Sequence, residues 1–292
     1  MNKKKIKAIV YCIRVAFLVM VIQAVTAFAA LAPEIIRLVK EFGFGTEEYS
    51  KAYLDYVTGT PVMMYVQFAA TAISLVVVAV WYYFGYVRKE KKISGNKTFK
   101  DTFKGFPDAA FLFFGGVATW GMAGVLDRLV TALAPARAEE VNEMLSVVLG
   151  SGVEVAGVIT GILLAPLMEE LLMRGIILRR SKRDFGMWGC IIISAILFGV
   201  LHMNILQGIY VIPMGLFWGY VGYRYNSVIP CIFLHILNNF IGILIPSKFP
   251  PMAVFIIFGC IAAFIGAKYD ILKNESPIKI DIEGGYTNVK EK

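Results

Sequence analysis

The chain has 292 residues, of which 58% are hydrophobic and 17% are charged, and its formal net charge is +8 at pH 7. An ordinary soluble domain is about 45–50% apolar and about 25% charged, so this composition excludes soluble, disordered and disulfide-rich secreted chains. The positive charge does not indicate nucleic-acid binding, because the Lys and Arg residues lie mainly between apolar stretches, where they orient membrane proteins.

Eight apolar stretches of roughly membrane-spanning length follow one another along the chain. A spanning helix needs about 20 mostly apolar residues, because it rises about 1.5 Å per residue through a hydrocarbon core of about 30 Å. The sequence therefore predicts an all-α polytopic membrane protein, a bundle of about eight transmembrane helices with the active site in its interior. The predicted spans are residues 15–31, 62–86, 109–125, 155–178, 187–203, 205–223, 228–245 and 252–267.

The distribution of Lys and Arg predicts the orientation of the bundle. With eight spans both termini lie on one side, and that side has 22 Lys and Arg residues against six on the other. Cytoplasmic loops carry the excess of Lys and Arg, so we expect cytoplasmic termini, in a bacterial plasma membrane. The basic start and the Ala27-Phe28-Ala29 sequence imitate a cleavable signal peptide, but we expect the first helix to be retained.

Composition divides the chain into three predicted regions. Residues 1–145 form an N-terminal membrane region of three transmembrane helices with a basic cytoplasmic loop at residues 89–104. Residues 146–270 form a candidate catalytic core of five transmembrane helices. Residues 271–292 form a mixed-charge tail that we expect to be flexible and cytoplasmic.

Polar residues inside the apolar spans of the core mark the candidate site. Ionisable groups within a membrane cost a few kcal/mol each on insertion scales, so by default they indicate a function. Both histidines of the chain belong to this set. Its members are Glu169, Glu170, Arg174, His202, His235 and Asn239.

Helical spacing predicts which of these side chains meet. Consecutive helix residues are about 100° apart, so Glu169 and Glu170 point in different directions. Glu170 and Arg174 share a face at i,i+4 and can form an ion pair, which leaves Glu169 to face the bundle interior. The reverse assignment, with Arg174 turned toward Glu169, stays open. His235 and Asn239 also share a face and suggest a pair of hydrogen-bond donors.

These residue types are sufficient for amide hydrolysis without a covalent nucleophile. A carboxylate can take a proton from water, a histidine can orient that water, and an imidazole with an amide can donate to the developing oxyanion. One geometric condition follows from counting. Glu169 lies 10 residues from Arg179 and His202 lies 16 residues from Gly186, so straight, upright helices would place them at depths about 9 Å apart. Tilted or broken helices are required to bring them level.

At these positions the sequence resembles the CAAX protease and bacteriocin-processing family, also called the CPBP or Abi family, of intramembrane endopeptidases. The motifs are Glu-Glu-x-x-x-Arg at residues 169–174, Phe-x-x-x-His at 198–202 and His-x-x-x-Asn at 235–239. Each motif alone is weak, but the three together, in this order, are specific. The resemblance covers about residues 155–245.

The resemblance implies roles for the six residues. It implies that Glu169 and His202 activate the attacking water and that His235 and Asn239 form the oxyanion site. Glu170 and Arg174 would support them. It also implies a glutamic protease that needs no cofactor and a cavity that opens toward the cytoplasm.

The expected partners are the lipid bilayer and a membrane-associated peptide or protein substrate. Members that share these motifs cleave prenylated proteins or are associated with peptide maturation and bacteriocin immunity, and the sequence does not choose among these roles. Glu169, His202 and His235 could instead hold zinc with one open position, which would make the protease zinc-dependent.

Two other classes of function use the same polar cluster. A non-enzymatic immunity or scaffold protein would use it to hold helices or a peptide, and a transporter would use it to relay protons. The combination of carboxylate, imidazoles and amide favours the enzyme. Transporters are often built from paired halves, and the sequence shows no such repeat.

Overall fold

The structure, a computed structural model of the chain, describes residues 2–89, 103, 105–149, 154–244, 249–273, 278–280 and 286–288. Most of the basic loop predicted at residues 89–104 and most of the tail predicted at residues 271–292 lie outside the described residues. The described chain is almost entirely helical and contains several long apolar helices. The predicted all-α polytopic membrane fold is confirmed.

The first helix, α1 (Lys3–Phe42), is longer than a membrane requires. Its start is capped by Asn2, whose side chain accepts a hydrogen bond from the backbone N–H of Lys4 at 3.0 Å. Its 40 residues rise about 60 Å, which is about twice the hydrocarbon thickness. The helix ends at Gly43, whose φ of 81° lies in the region that favours glycine. One end of α1 therefore projects beyond the apolar core.

The next helices connect α1 to the core. Helix α2 (Glu47–Gly59) is capped by the Thr46 hydroxyl and has none of its residues buried. Helix α3 (Val62–Val87) is α-helical through Tyr82 and π-helical from Tyr83 onward. Helices α4 (Phe106–Leu133) and α5 (Pro135–Leu149) follow after the basic loop.

Residues 155–201 form one long helical run that carries three of the six residues of the polar cluster, Glu169, Glu170 and Arg174. Helix α6 covers residues 155–178 and alternates between α-helical turns (Val155–Ile159 and Ala165–Glu170) and π-helical turns (Thr160–Leu164 and Leu171–Leu178). Helix α7 (Arg179–Leu201) is broken at Gly186, where φ is 67° and ψ is −166°. Only glycine adopts this conformation readily, so Gly186 permits the chain to turn back along α6.

Three further helices complete the bundle. Helix α8 (Ile205–Tyr225) begins after Asn204, whose side chain accepts hydrogen bonds from the backbone N–H groups of Leu206 and Gln207. Helix α9 (Ile229–Leu244) has 16 residues, and helix α10 (Pro251–Lys268) has 18.

The number of spans differs between the sequence analysis and the structure. Six described helices are long and apolar enough to cross a membrane: α1, α3, α4, the continuous run of α6 and α7, α8 and α10. The predicted count of eight is not confirmed and stays a prediction. The difference has two sources. Helix α9 is short, and α6 and α7 form one run of 47 residues, which divides into two only at the Gly186 break.

Close helix packing depends on small residues at two interfaces. A Cβ on Gly121 of α4 would lie 2.7 Å from the backbone nitrogen of Phe255 in α10. A Cβ on Gly215 of α8 would lie 3.2 Å from the Cα of Ala195 in α7. Backbones can approach this closely only where a side chain is missing, as is common among membrane helices. The buried core between these helices includes Trp218, which is 0% exposed.

The described part of the tail contains a feature that the sequence analysis did not predict. Strand β1 (Ile278–Ile280) pairs antiparallel with β2 (Tyr286–Asn288), with Lys279 opposite Thr287 at the centre of the register.

Several contacts define one end of the bundle, which we call the basic end. The Lys5 Nζ lies 5.5 Å from the ring centroid of Phe185, and Arg179 donates to the carbonyl of Asn226 at 3.4 Å. The start of α1, the turn into α7 and the end of α8 therefore meet there. The hydroxyl of Tyr86 donates to the carbonyl of Ile176, so the end of α3 lies near the same level.

The other end of the bundle, which we call the distal end, contains the connection between α7 and α8. Met203 to Leu206 border a cavity together with Arg137 and Glu140 of α5. The end of α1, the start of α3 and the start of α6 also lie toward this end, because each of these helices has its other terminus near the basic end.

Candidate active site

The two adjacent carboxylates lie at a change of helix type. Glu169 and Glu170 are the last residues of an α-helical segment, and Leu171 begins the π-helical turns. π-Helical turns are rare and are frequently found at functional sites, because the wider turn changes the direction of the side chains. Both carboxylates precede the change, and they have different surroundings because consecutive residues of an α-helix point about 100° apart.

Glu170 is completely buried and has two charged or polar partners. Its Oε1 lies 2.9 Å from Arg174 Nη1 and 2.9 Å from His235 Nδ1, and its side chain is 0% exposed. The ion pair with Arg174, which the i,i+4 spacing indicated, is present. Because Arg174 neutralises the carboxylate, the charge is tolerated inside the bundle.

Arg174 is held by its surroundings as well as by Glu170. Its Nη2 donates to the carbonyl of Gly215 at 3.0 Å. Its guanidinium carbon lies 4.9 Å from the ring centroid of Phe198 and 5.8 Å from that of Trp218, within the range of cation–π attraction. Arg174 therefore connects α6 to α7 and α8 at the centre of the bundle.

His235 lies between the two carboxylates. A carboxylate accepts hydrogen bonds, so the 2.9 Å contact to Glu170 assigns a proton to His235 Nδ1, which donates it. Its Nε2 lies 3.8 Å from Glu169 Oε2, which is too long for a direct hydrogen bond. The ring also packs on Trp218, with centroids 4.6 Å apart. This geometry fixes the orientation of the imidazole.

Glu169 differs from its neighbour because it borders a cavity. Its side chain is 19% exposed, and it lines a cavity of about 200 Å³ together with His202. Glu169 and His202 therefore lie at one cavity, although straight helices would have placed them at different depths. The break at Gly186 and the π-helical turns of α6 make counting along straight α-helices inapplicable.

His202 presents one ring nitrogen as an acceptor. Its Nδ1 lies 2.9 Å from the carbonyl of Phe198, and a carbonyl only accepts, so Nδ1 carries the proton. In the neutral ring Nε2 is then an acceptor. The Phe198 ring contacts both histidines edge to face, with centroids 5.1 Å from His202 and 5.7 Å from His235.

Asn239 lies farther along α9 toward the distal end. Its Nδ2 donates to the carbonyl of Gly161 at 2.8 Å, and its Oδ1 accepts from Asn238 Nδ2 at 3.2 Å. Gly161 belongs to a π-helical turn of α6. The amide thus joins α9 to α6, and one of its two N–H groups is engaged in that contact.

Three glutamines line the cavity and were not among the predicted site residues. Gln23 of α1, Gln67 of α3 and Gln207 of α8 surround it together with Glu169 and His202. The available signal was the presence of primary amides in apolar helices, since such groups are costly in lipid and usually face a cavity or a partner. Spacing could not find them, because they come from three different helices.

The zinc alternative requires Glu169, His202 and His235 to lie together as ligands of one metal ion. Among the described residues, no group of three or more His, Cys, Asp and Glu side chains is arranged to hold a metal ion. Glu169 and His235 approach each other, and His202 shares the cavity with Glu169.

Two further cavities border the connection between α7 and α8. One, of about 440 Å³, lies between Met203 to Leu206 and the Arg137–Glu140 pair of α5. The other, of about 530 Å³, is an apolar groove between α7 and α8 that includes Gly199, Gly208 and Pro213. Both lie next to His202 at the distal end.

The fold and this polar cluster define a polytopic membrane protein with a carboxylate at the border of an internal cavity. A family model described as Rce1-like, type II CAAX prenyl endopeptidase Rce1-like, matches residues 151–241. That range contains all six predicted site residues, so the predicted resemblance to the CAAX protease family is confirmed. The match indicates, in general terms, a membrane-embedded protease of the CAAX type with a peptide substrate. No curated protein and no solved structure matches the chain.

Proposed function

We propose that the chain is an intramembrane endopeptidase in which Glu169 is the general base that activates water. The observation that carries this proposal is the difference between the two carboxylates. Glu170 is sealed in contacts with Arg174 and His235, whereas Glu169 borders a cavity that also contains His202. A general base must reach both water and substrate, and only Glu169 meets that condition.

The proposed reaction begins with a water molecule in the cavity. Glu169 takes a proton from the water while the water oxygen bonds to the carbonyl carbon of the peptide. His202 Nε2, the acceptor nitrogen of its ring, orients the same water by accepting its second hydrogen. Glu169 then transfers its proton to the amine nitrogen as the peptide C–N bond breaks, which returns the carboxylate to its starting state.

The negative oxygen of the tetrahedral intermediate is assigned to His235 and Asn239. Donation from His235 requires a proton on Nε2 as well as on Nδ1, whose hydrogen bond Glu170 Oε1 accepts. Asn239 has a second N–H beyond the one bound to Gly161. These two donors are part of the proposal, as is the supporting role of Glu170 and Arg174 in positioning His235.

The substrate is proposed as a membrane-associated peptide or protein, and the reaction is proposed to need no metal. Peptide maturation and bacteriocin immunity are the proposed biological roles, and the bacterial plasma membrane with cytoplasmic termini is the proposed location. Within the proposed division of the chain, residues 146–270 are the catalytic core. The alternatives are a zinc-dependent protease that uses Glu169, His202 and His235, and a non-enzymatic immunity or scaffold protein.

The test compares cleavage of membrane peptides by purified protein in lipid vesicles. We expect Glu169→Gln to reduce the rate by about 100- to 10,000-fold, the range of general-base contributions. We expect His202→Ala to reduce it as well, and a strong chelator to leave the wild-type rate unchanged. The matched control is Glu48→Gln, an exposed carboxylate in α2, which should cleave at the wild-type rate.

Each alternative has its own outcome in this experiment. Chelator-sensitive cleavage that zinc restores would assign Glu169, His202 and His235 to a metal. Retained cleavage in Glu169→Gln would contradict the assignment of the base. If neither wild-type protein nor variants cleave any member of a diverse peptide set, the non-enzymatic role becomes the better explanation.

A further inference from the structure

The position of the cavity along the bundle axis indicates the side from which it is reached. His202 is the residue that ends α7, Gln207 lies in the first turn of α8, and Gln67 lies in the second turn of α3. All three line the cavity. Each of these helix ends belongs to the distal end of the bundle, so the cavity extends from Glu169 toward that end.

The chain on the other side of Glu169 is closed. The side chains from Leu172 to Leu178 are at most 3% exposed, and they pack around Trp218 and Leu234, which are 0% exposed. Arg174, which is 2% exposed, contacts Glu170 from the next turn of α6 toward the basic end. Among the described residues, this plug separates Glu169 from the basic end, and water or a peptide would have to pass through a packed core to arrive from there.

The charges show which membrane face the two ends occupy. The Lys residues at the start of α1, the Arg and Lys residues around the α6–α7 turn, and Arg224 near the end of α8 lie at the basic end. The distal end has a mixed population in which Arg37 pairs with Glu34 and Glu41, and Arg137 pairs with Glu140. By the positive-inside rule, the basic end faces the cytoplasm and the distal end faces outward.

We infer that the catalytic cavity is reached from the outer face of the membrane and that the substrate is a peptide segment presented on that face. The two orientation expectations from the sequence therefore exclude each other. Cytoplasmic termini and a cavity that opens toward the cytoplasm cannot both hold, because the termini of α1 and α7 that carry the charges lie opposite the mouth. The charge distribution decides between the two expectations, because it is a property of this chain, whereas the cytoplasmic opening was implied by the family resemblance alone.

The side chains that line the cavity fit an extended peptide. The side-chain amides of Gln23, Gln67 and Gln207 contain N–H donors and a carbonyl acceptor, which is the pattern that a peptide backbone presents in return. One N–H of Gln67 is already engaged, since its Nε2 donates to Thr71 Oγ1 at 3.3 Å. None of the three glutamines is charged, so they favour contact with the backbone of a peptide substrate over contact with a charged side chain. The substrate part of the inference rests on the proposed function, whereas the direction of access does not.

The direction of access is tested by cysteine labelling in intact cells that express the full chain. The background variant is Cys260→Ser, since Cys260 is exposed and the other three cysteines are buried. Gln207→Cys and, separately, Gln67→Cys probe the cavity. Ser50→Cys in α2 marks the distal end and Lys7→Cys marks the basic end. The reagent is a small, membrane-impermeant methanethiosulfonate that carries a sulfonate group.

Labelling is measured as the loss of a later gel shift by a polymer-linked maleimide after denaturation. We expect Gln207→Cys, Gln67→Cys and Ser50→Cys each to lose one of four increments of the shift in intact cells, because Cys12, Cys190 and Cys231 react with the maleimide after denaturation and account for the other three. Lys7→Cys should lose it only after the membrane is permeabilised. Cavity cysteines that react only after permeabilisation, or under neither condition, would overturn the inference. Two cavity positions are used so that misfolding of one variant does not decide the result.

A second arm tests the substrate class separately from the direction of access. Membrane-impermeant fluorogenic peptides are added outside intact cells that express wild-type protein or Glu169→Gln. We expect cleavage that is lost in Glu169→Gln. Cleavage only after permeabilisation would overturn outer-face access and leave the proposed protease standing. Outside labelling without any cleavage that depends on Glu169 would overturn the substrate and the proposed function, and leave the direction of access standing.

Discussion

Glu169 and Glu170 are neighbours in the sequence, but they lie in two different regions of the molecule. The region around Glu170 is a sealed centre, in which Arg174, His235 and Trp218 leave the carboxylate 0% exposed. The region around Glu169 is a cavity lined by polar side chains from four helices besides its own. One region holds its carboxylate in fixed contacts, and the other leaves its carboxylate at the border of a cavity.

The difference shows how a membrane protein can separate structural and chemical tasks on one helix. A buried ion pair is maintained only if both charges stay paired, so Glu170 cannot also exchange protons with substrate. Its hydrogen bond to His235 Nδ1 instead transmits that rigidity to the imidazole. Glu169 makes no such hydrogen bond to His235, because its Oε2 lies 3.8 Å from His235 Nε2. Its side chain borders the cavity instead. Four predictions test this division and the packing around it.

The largest effect is expected from Arg174→Met, which leaves the Glu170 carboxylate buried without its cation. Breaking a buried pair from one side typically costs about 3–5 kcal/mol, so we expect the free energy of unfolding to fall by that amount. The measurement is unfolding in mixed micelles with increasing sodium dodecyl sulfate. The double variant Glu170→Leu with Arg174→Met should recover most of the loss, because no unpaired charge remains.

A matched control distinguishes burial from charge in that experiment. Arg37 of α1 also pairs with carboxylates, Glu34 and Glu41, but its side chain is 58% exposed. Arg37→Met should therefore leave the unfolding curve almost unchanged, since water screens exposed pairs. If Arg174→Met were no more harmful than Arg37→Met, the sealed centre would not have the importance that the structure assigns to it.

The second prediction compares the two carboxylates directly through Glu170→Gln and Glu169→Gln. Glu170→Gln leaves the Arg174 guanidinium buried beside a neutral amide, so stability should fall by about 3–5 kcal/mol. Glu169→Gln should leave stability close to wild type while the cleavage rate falls. Both quantities are measured on the same protein preparations. Equal losses of stability in the two variants would mean that Glu169 is also part of the sealed centre.

The third prediction concerns the α4–α10 interface, which lies away from both regions. In Gly121→Ala the new Cβ would lie 2.7 Å from the backbone nitrogen of Phe255, so the helices must move apart. We expect the free energy of unfolding to fall by about 1–3 kcal/mol. Gly259→Ala in α10 is the control, because its Cβ would be 3.9 Å from Ala118. Similar losses in both variants would show that space is not the cause.

The smallest effect on stability is expected from Asn239→Ala. It removes the 2.8 Å hydrogen bond to Gly161, and interhelical hydrogen bonds in membranes average about 0.6 kcal/mol. If Asn239 is also an oxyanion donor, the cleavage rate should fall far more than this loss of stability explains. Asn238→Ala is the control, since Asn238 contacts Asn239 and has no proposed role at the substrate. Equal rates in Asn239→Ala and wild type would remove Asn239 from the oxyanion site.

Part of the site could be predicted from local spacing alone. Composition was enough for the all-α membrane class, because lipid requires long apolar helices. The i,i+4 spacing indicated the pairing of Glu170 with Arg174, since both residues lie on one helix, but only the structure decided against a pair between Arg174 and Glu169. The three motifs, taken together, were enough for the family resemblance that the match over residues 151–241 confirms.

The remaining features depend on which helix faces meet, and that is decided by tertiary packing. The contact between Glu170 and His235 joins residues 65 positions apart, and the three cavity glutamines come from three helices. The π-helical turns of α6 and the break at Gly186 alter the depth that straight helices would give to Glu169 and His202. A helical sequence determines only which of its own residues share a face. Packing determined the neighbours of those faces, the plug on the basic side and the direction in which the cavity opens.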